Sequence, residues 1–507
     1  MFQDYVERIE NSRVYSAANE TPLQAVSILS RRLGNRVFLK REDLQPVFSF
    51  KLRGAYNKMA GLSANAKKRG VIAASAGNHA QGIALAAKRL DMQALIVMPQ
   101  TTPQIKLESV RALGAAIELM GSNYDEAFEF ARHKAEELGS TFIHPYDDKD
   151  VIAGQGTIAM EILRRMPGRL DAIFVPVGGG GLIAGMAAYV KALRPDVRVV
   201  GVEPRHAACM SRALAAGERV VLDDVDPFAD GVAVRQVGEE PFRIARECVD
   251  EVVTVTHREI CTAIKEIFDD SRCIAEPAGA LALAGLKRCV AREEWTGKVL
   301  VAVVSGANVD FDRLRGIAEL ADLVERREAL LGVTIPERPG SFRTFCRAIG
   351  QRSITEFNYR YADAEKAHVF VGVELRNGRS DKEELIADLT NRRYKVVDLS
   401  DNEMARIHVR YMVGGRAAGL SDERLFRFDL PEQPGALLRY LTRMGKRWNI
   451  SLFHYRSHGA AYGQVLAGIQ VPDVEMEQFH AFLSELNYPF HEETGNSAYE
   501  LFLGADR

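Results

Sequence analysis

The sequence predicts an α/β fold over residues 1–325 and two small α+β modules after it. Three observations carry that expectation. Short β-branched apolar runs alternate with amphipathic stretches of helical length, the texture of helices laid on both faces of an open parallel sheet. At about residue 325 that texture ends. Beyond it a pattern recurs at a spacing of 95 to 96 residues.

The apolar runs lie at 71–75, 94–98, 171–177, 197–203 and 298–305. They are short and rich in Val and Ile, which suits strands buried on both sides. Helical patterns fall between them, at 78–90, 103–113, 124–138, 181–193 and 257–270. A further amphipathic stretch, residues 312–329, closes the first region.

The repeat that follows has three matches in one order. Val333–Gly340 (VTIPERPG) recurs as Phe428–Gly435 (FDLPEQPG). Ile354–Arg360 recurs as Ile450–Arg456, and Val369–Val373 as Val465–Ile469, with Gly372 and Gly468 in fourth place. Each copy reads strand, Pro-Gly helix start, helix, two strands, helix, strand. The expected domains are therefore 1–325, 326–418 and 419–507.

Composition narrows the function classes. At 507 residues the chain is long enough for three to four domains. Lys+Arg (66) nearly balance Asp+Glu (68), which argues against a nucleic-acid binder. Six cysteines without a C-x-x-C pair argue against a disulfide scaffold or a zinc ribbon, and fit a reducing compartment. The start, MFQDYVERIE, has neither signal-peptide nor transit-peptide character, and no apolar run reaches the roughly 18 residues of a membrane span. The expectation is a cytoplasmic protein with no membrane or nucleic-acid partner.

Four motifs carry chemistry. In Ser49-Phe50-Lys51-Leu52-Arg53-Gly54-Ala55, a lysine follows a bulky aromatic. Surface lysines are far commoner, but a desolvated one has a depressed pKa and makes a good Schiff-base amine. Ser75-Ala76-Gly77-Asn78-His79 ends a strand and opens a helix. Asn78 can serve there as a plain N-cap, yet the free N–H groups of a helix start also suit a carboxylate. Gly178-Gly179-Gly180-Gly181-Leu182 sits at the same kind of junction. Its bare amides and the helix dipole form a phosphate cradle, and the run is neither a P-loop nor a dinucleotide fingerprint. Ser305, in Ser305-Gly306-Ala307-Asn308, ends the last strand, where a serine is either a turn residue or a partner for a ring nitrogen. Strand ends are where open α/β sheets bind ligands. An activated lysine, a phosphate cradle and polar strand-end loops together describe a site for pyridoxal 5'-phosphate, an electron sink for amino-acid carbanions.

The four motifs, in this order and at these spacings, resemble the threonine/serine dehydratases of the tryptophan-synthase-β-like (fold type II) superfamily of pyridoxal-phosphate enzymes. The resemblance covers essentially the whole chain. The paired modules resemble the ACT-like regulatory repeats of the long, biosynthetic threonine dehydratases (threonine ammonia-lyases). It implies that Lys51 carries the cofactor and then acts as base at the substrate Cα. Phe50 would lie beside the ring, Asn78 would bond the ring hydroxyl, and Ser305 would face the ring nitrogen. The amides of Gly178, Gly179, Gly180, Gly181 and Leu182 would hold the phosphate. Ser75, Asn78 and His79 would bracket the substrate carboxylate.

The implied reaction converts L-threonine, and also L-serine, to a 2-oxo acid and ammonia. The implied effectors are isoleucine as inhibitor and valine as its antagonist, and the implied assembly is a homotetramer. Serine dehydration as the main activity is one alternative. A non-catalytic amino-acid sensor is another, but its mark would be loss of the lysine, and Lys51 is present. Relatives that racemise carry a serine where this chain has Ala76, so racemisation is disfavoured. Glu203 matches a cation ligand of some relatives, but Cys209 stands where a second carboxylate would be, so no metal is expected.

Overall fold

In the computed structural model the chain folds as two compact units, Met1–Val324 and Glu325–Arg507. The structure describes residues 2–325, 328–362, 364–376, 378–402, 405, 409–412, 414–415, 417, 420, 422–431, 436–445, 447–456, 462–486, 488–496, 499 and 503. The expected boundary residues 326, 418, 419 and 507, and the recurring segment Glu432-Gln433-Pro434-Gly435, lie outside them.

The first unit holds two sheets. Six strands run in the order β1 (Leu23–Ala25), β2 (Arg36–Arg41), β10 (Val299–Val304), β7 (Ala172–Pro176), β8 (Arg198–Pro204) and β9 (Glu251–Val255). All neighbours pair parallel except β1 with β2. A second, all-parallel sheet runs β5 (Ala116–Leu119), β4 (Ala94–Met98), β3 (Val71–Ala74), β6 (Thr141–Phe142). The larger sheet is covered on both faces. Along β10, Val299, Val301 and Val303 enter one apolar layer, and Leu300, Ala302 and Val304 the other. That is why its sequence reads as an unbroken apolar run.

Three helices fix the geometry of the site. Helix Lys51–Ala60 meets helix Lys149–Arg165 at glycines: a Cβ on Gly154 would stand 2.7 Å from the Gly54 Cα. Helix Lys149–Arg165 meets helix Gly181–Leu193 in the same way, since a Cβ on Gly185 would stand 2.8 Å from the Gly156 nitrogen. The helices therefore approach backbone to backbone.

Among the described residues, the second unit holds one antiparallel sheet of eight strands. Its order is β14 (Lys395–Asp398), β11 (Glu328–Pro336), β13 (Lys366–Glu374), β12 (Ile354–Arg360), β16 (Asn449–Arg456), β17 (Tyr462–Gln470), β15 (Glu423–Pro431), β18 (Phe490–Glu492). The order reads the same from either edge once the repeats are exchanged. Each copy carries a register shift at the same place, Ile354/Glu356 and Ile450/Leu452. One face packs on helices Ser341–Ile349, Arg379–Asn391, Ala436–Met444 and Met476–Leu486, through Phe345, Phe357, Leu385, Phe428, Phe453 and Phe479. Among the described residues, no helix is long and apolar enough to cross a membrane.

Candidate active site

The site is built at the carboxyl ends of β7, β10 and β3, where Val177-Gly178, Ser305 and Ser75 leave the two sheets. Two of the motifs are stitched together by backbone. The Phe50 N–H donates to the Ser305 carbonyl at 3.1 Å, the Ala307 N–H donates to the Phe48 carbonyl at 2.9 Å, and Ser49 bridges Gly306. This pairing brings Lys51, at the start of its helix, to the end of β10. One cavity is lined by Phe50, Lys51, Asn78, Pro145, Tyr146, Gln155, Gly178 to Leu182, Glu276 and Ser305, among others.

The Lys51 Nζ donates to the Pro145 carbonyl at 3.0 Å and lies 5.3 Å from the Phe50 ring centroid. Burial pushes its pKa down to about 8, against a partial upward pull from Glu276. The amine is thus far easier to deprotonate than a surface lysine. Its helix is anchored two residues on. Arg53 is fully buried and bonds Glu42 at 2.7 Å and Glu161 at 2.6 Å, and Lys40 also pairs with Glu161. Two cations and two carboxylates balance there, with Thr157 and Thr21 adding hydrogen bonds.

The glycine run is a close-fitting turn. Gly180 has φ +94° and opens the helix Gly181–Leu193. A Cβ on Gly179 would stand 2.3 Å from the Tyr146 ring, and one on Gly181 2.7 Å from the Tyr146 carbonyl. Side chains are thus excluded where the amides must stay bare. A phosphate suits this seat, since a helix start and bare backbone N–H groups bind anions. The donor set fits pyridoxal phosphate: an activated amine, an anion seat, an amide side chain and a neutral hydroxyl share one wall.

The remaining expected residues fall in two groups. Asn78 and Ser305 line the cavity, and the Ser305 hydroxyl lies 3.4 Å from the Ala278 carbonyl. Ser75 and His79 are not among the cavity's lining residues; Ser75 is half-buried and His79 buried. The Ser75 hydroxyl accepts the Gly77 N–H at 3.2 Å. The His79 Nε2 lies 3.0 Å from the Ile143 carbonyl, so it must be the protonated nitrogen. Burial, then Lys51, pushes the His79 pKa down to about 3, so the ring is neutral and its Nδ1 can only accept. Any contribution of His79 to binding a carboxylate runs through its backbone N–H at the second position of the helix Asn78–Arg89.

Two contributors carry no signal in the sequence. The loop His144–Asp148 supplies the Pro145 carbonyl to Lys51 and the Tyr146 ring under the glycines. His144 Nδ1 accepts the N–H groups of Tyr146 (3.3 Å) and Asp147 (2.8 Å), which holds the loop in shape. The other is Glu276, buried and bonded to Asn78 at 2.6 Å. Glu203 is also buried. It accepts the N–H groups of Met210 (2.8 Å) and Ser211 (2.9 Å), with the Cys209 Sγ at 3.7 Å. Among the described residues, only Glu251, Cys289 and Glu293 cluster as metal ligands could, and Arg198 and Arg292 already pair with both carboxylates.

Two family models match the chain. The family model described as pyridoxal-phosphate dependent enzyme matches residues 14–306. The model described as C-terminal regulatory domain of threonine dehydratase matches 319–409 and 414–503. The L-threonine dehydratase biosynthetic IlvA of Burkholderia multivorans is 54% identical over 503 residues, covering 99% of both chains. The Escherichia coli protein of the same description is 51% identical over 500 residues, covering 99% of this chain and 97% of its own. Among solved structures, the processed form of threonine deaminase isoform 2 from Solanum lycopersicum is 49% identical with a TM-score of 0.62, covering 63% of this chain and 93% of that one. Maize serine racemase is 32% identical with a TM-score of 0.58, covering 61% of this chain and 95% of that one.

Proposed function

The chain belongs to the pyridoxal-phosphate dependent enzymes, in the group that carries the C-terminal regulatory domain of threonine dehydratase, and from that premise we propose how its residues work. The reaction is the dehydration and deamination of L-threonine to 2-oxobutanoate and ammonia, the first step of isoleucine biosynthesis. The observation that carries it is a desolvated Lys51 amine sharing one cavity with the bare amides of Gly178 to Leu182.

Lys51 would hold the cofactor covalently, the amides of Gly178 to Leu182 its phosphate, Asn78 its ring hydroxyl and Ser305 its ring nitrogen, with Phe50 beside the ring. When bound, pyridoxal phosphate supplies an electron sink for charge that develops at the substrate Cα. The work of the chain is to orient and to move protons. Ser75 and the backbone N–H groups of Asn78 and His79 at the helix start would orient the substrate carboxylate. The Lys51 amine would take the Cα proton, and burial, which lowers its pKa to about 8, favours the free amine relative to a surface lysine. Ser305 is uncharged, so it would not hold a proton on the ring nitrogen, and a neutral hydroxyl there would favour prompt departure of the β-hydroxyl as water over competing outcomes at Cα. L-Serine is the second expected substrate.

The second unit is read as two regulatory modules, 326–418 and 419–507. Support comes from the repeat and from the match to a regulatory-domain model in two segments. Isoleucine would inhibit and valine oppose it, through differential binding to two states with a coupling of about 1–3 kcal/mol. The working form is proposed as a cytoplasmic homotetramer. One assay tests the reading: offer L-threonine or L-serine, follow ammonia and 2-oxo acid, and repeat with isoleucine and valine. Absence of 2-oxobutanoate from L-threonine with cofactor-loaded enzyme would overturn it.

A further inference from the structure

Asn78 is held at both ends. Its Nδ2 donates to Glu276 Oε1 at 2.6 Å, and its Oδ1 accepts from the Asn308 Nδ2 at 2.6 Å. A carboxamide carries two N–H donors, so one is left over, and its direction is fixed because the group cannot rotate or flip without losing both bonds. Glu276 is itself locked. Its Oε2 accepts the Asn308 N–H at 3.1 Å, and its own N–H donates to the Gly306 carbonyl at 3.1 Å. A Cβ on Gly306 would stand 2.6 Å from Oε1, so a bare backbone makes the room. The side chain is 3% exposed and lines the cavity with Lys51.

We propose that Glu276 is a positioning residue for the reaction: it aims the free N–H of Asn78 at the ring hydroxyl and keeps a carboxylate charge beside the Lys51 nitrogen. The inference rests on the pyridoxal-phosphate reading of the site. The charges that face Glu276 are few. Glu276 draws the Lys51 pKa upward across the shared cavity, and Lys106 is a cation that favours the Glu276 carboxylate. Asp230, on the short helix Pro227–Val232, opposes it and is itself paired to Lys106 at 2.7 Å. Burial pushes the Glu276 pKa up to about 7, while the Asn78 and Asn308 donors pull it down. Its charge is therefore responsive to its neighbours. A cation at Lys51 favours the ionised form, and by reciprocity the ionised form favours the cation.

The test is a visible-absorbance pH titration of the holoenzyme with wild type, Glu276→Gln and Glu276→Asp. Borohydride reduction and mass mapping of Lys51 are run on all three. Loss of the carboxylate should lower the titration midpoint of the Lys51-bound chromophore by about one unit, tenfold in proton affinity. Glu276→Asp, which keeps the charge, should restore most of the midpoint. The kcat should fall in Glu276→Gln more than KM rises. A Glu276→Gln midpoint equal to wild type, or a Glu276→Asp midpoint as low as that of Glu276→Gln, overturns the proposal. No reduced adduct at Lys51 in wild type would instead overturn the cofactor reading beneath it.

Discussion

Asn358 on β12 pairs with His454 on β16, and these two residues occupy the same position in the two copies of the repeat, 96 residues apart. The neighbours obey the same rule: Phe357 faces Tyr455, and Tyr359 faces Phe453. A local two-fold axis therefore passes through the junction of the repeats. It converts two modules into one sheet with a main apolar layer shared by both copies.

The first prediction concerns that junction. Asn358→Pro removes a ladder donor and disfavours extended pairing beside it. The expected result is faster protease cleavage of the second unit and a blunted isoleucine response, with threonine turnover retained. A chain ended at Glu325 should likewise keep turnover and lose the response. Retained inhibition by isoleucine in either variant would remove the regulatory reading.

A second prediction follows from Lys51. Its pKa is about 8 when folded, against 10.5 ordinarily. Between those values the unfolded apo-chain binds the extra proton, so this group's contribution to stability rises with pH across that window. It is most unfavourable below pH 8. Lys51→Met should therefore stabilise the apoprotein near neutral pH, and the gain should shrink toward pH 10.5; urea midpoints at several pH values read it. The same variant should form no borohydride-fixed adduct and lose turnover by about 10²–10⁴-fold or more.

Gly179 offers a third. Gly179→Ala drives a methyl into the Tyr146 ring, and overpacking of this kind typically costs about 1–3 kcal/mol. Cofactor affinity should fall roughly tenfold or more, as equilibrium dialysis would show. The double variant Gly179→Ala/Tyr146→Ala should recover part of the loss, since the clash is pairwise. Additive losses would mean that the ring is not what the glycine avoids.

Arg53 supports the fourth. Arg53→Met leaves Glu42 and Glu161 buried with Lys40 as their sole remaining partner within the four-charge set. Breaking a buried pair from one side costs about 3–5 kcal/mol, which denaturant unfolding would register. A loss below about 1 kcal/mol, the level of a surface ion pair, would show that the network is not desolvated.

The last prediction tests the neutral hydroxyl at the end of β10. Ser305→Asp should hold a proton on the ring nitrogen and strengthen the electron sink. More racemised or transaminated substrate per 2-oxobutanoate is expected by chiral chromatography. Unchanged product ratios would argue that Ser305 does not control the outcome.

What could be read from the sequence follows from how each part is held. The runs at 71–75, 94–98, 171–177, 197–203 and 298–305 became β3, β4, β7, β8 and β10, because strands covered on two faces must be apolar throughout. Strand β5 (AIEL) carries no signal because it lies at a partly exposed edge, and β2 (RVFLKR) because two of its three charges, Lys40 and Arg41, are buried in pairs. The division into two sheets has no local signal, since every run looks alike. Helix Lys149–Arg165 escaped because it is buried along most of its length and lacks a polar face. At the site, Lys51, Asn78, the glycines and Ser305 sit in motifs. Pro145, Tyr146 and Glu276 do not: they act through a carbonyl, a ring edge and a buried carboxylate whose meaning exists only after folding.

The glycine-to-glycine crossings of the three helices have a consequence for how such an enzyme can change. They set, by close main-chain contact, the span between the helix that carries the reactive amine and the helix that opens at the anion seat. Side chains around the mouth of the cavity can then be exchanged without stretching that span. A new substrate preference can arise by refurnishing the walls while the chassis that grips the coenzyme stays put.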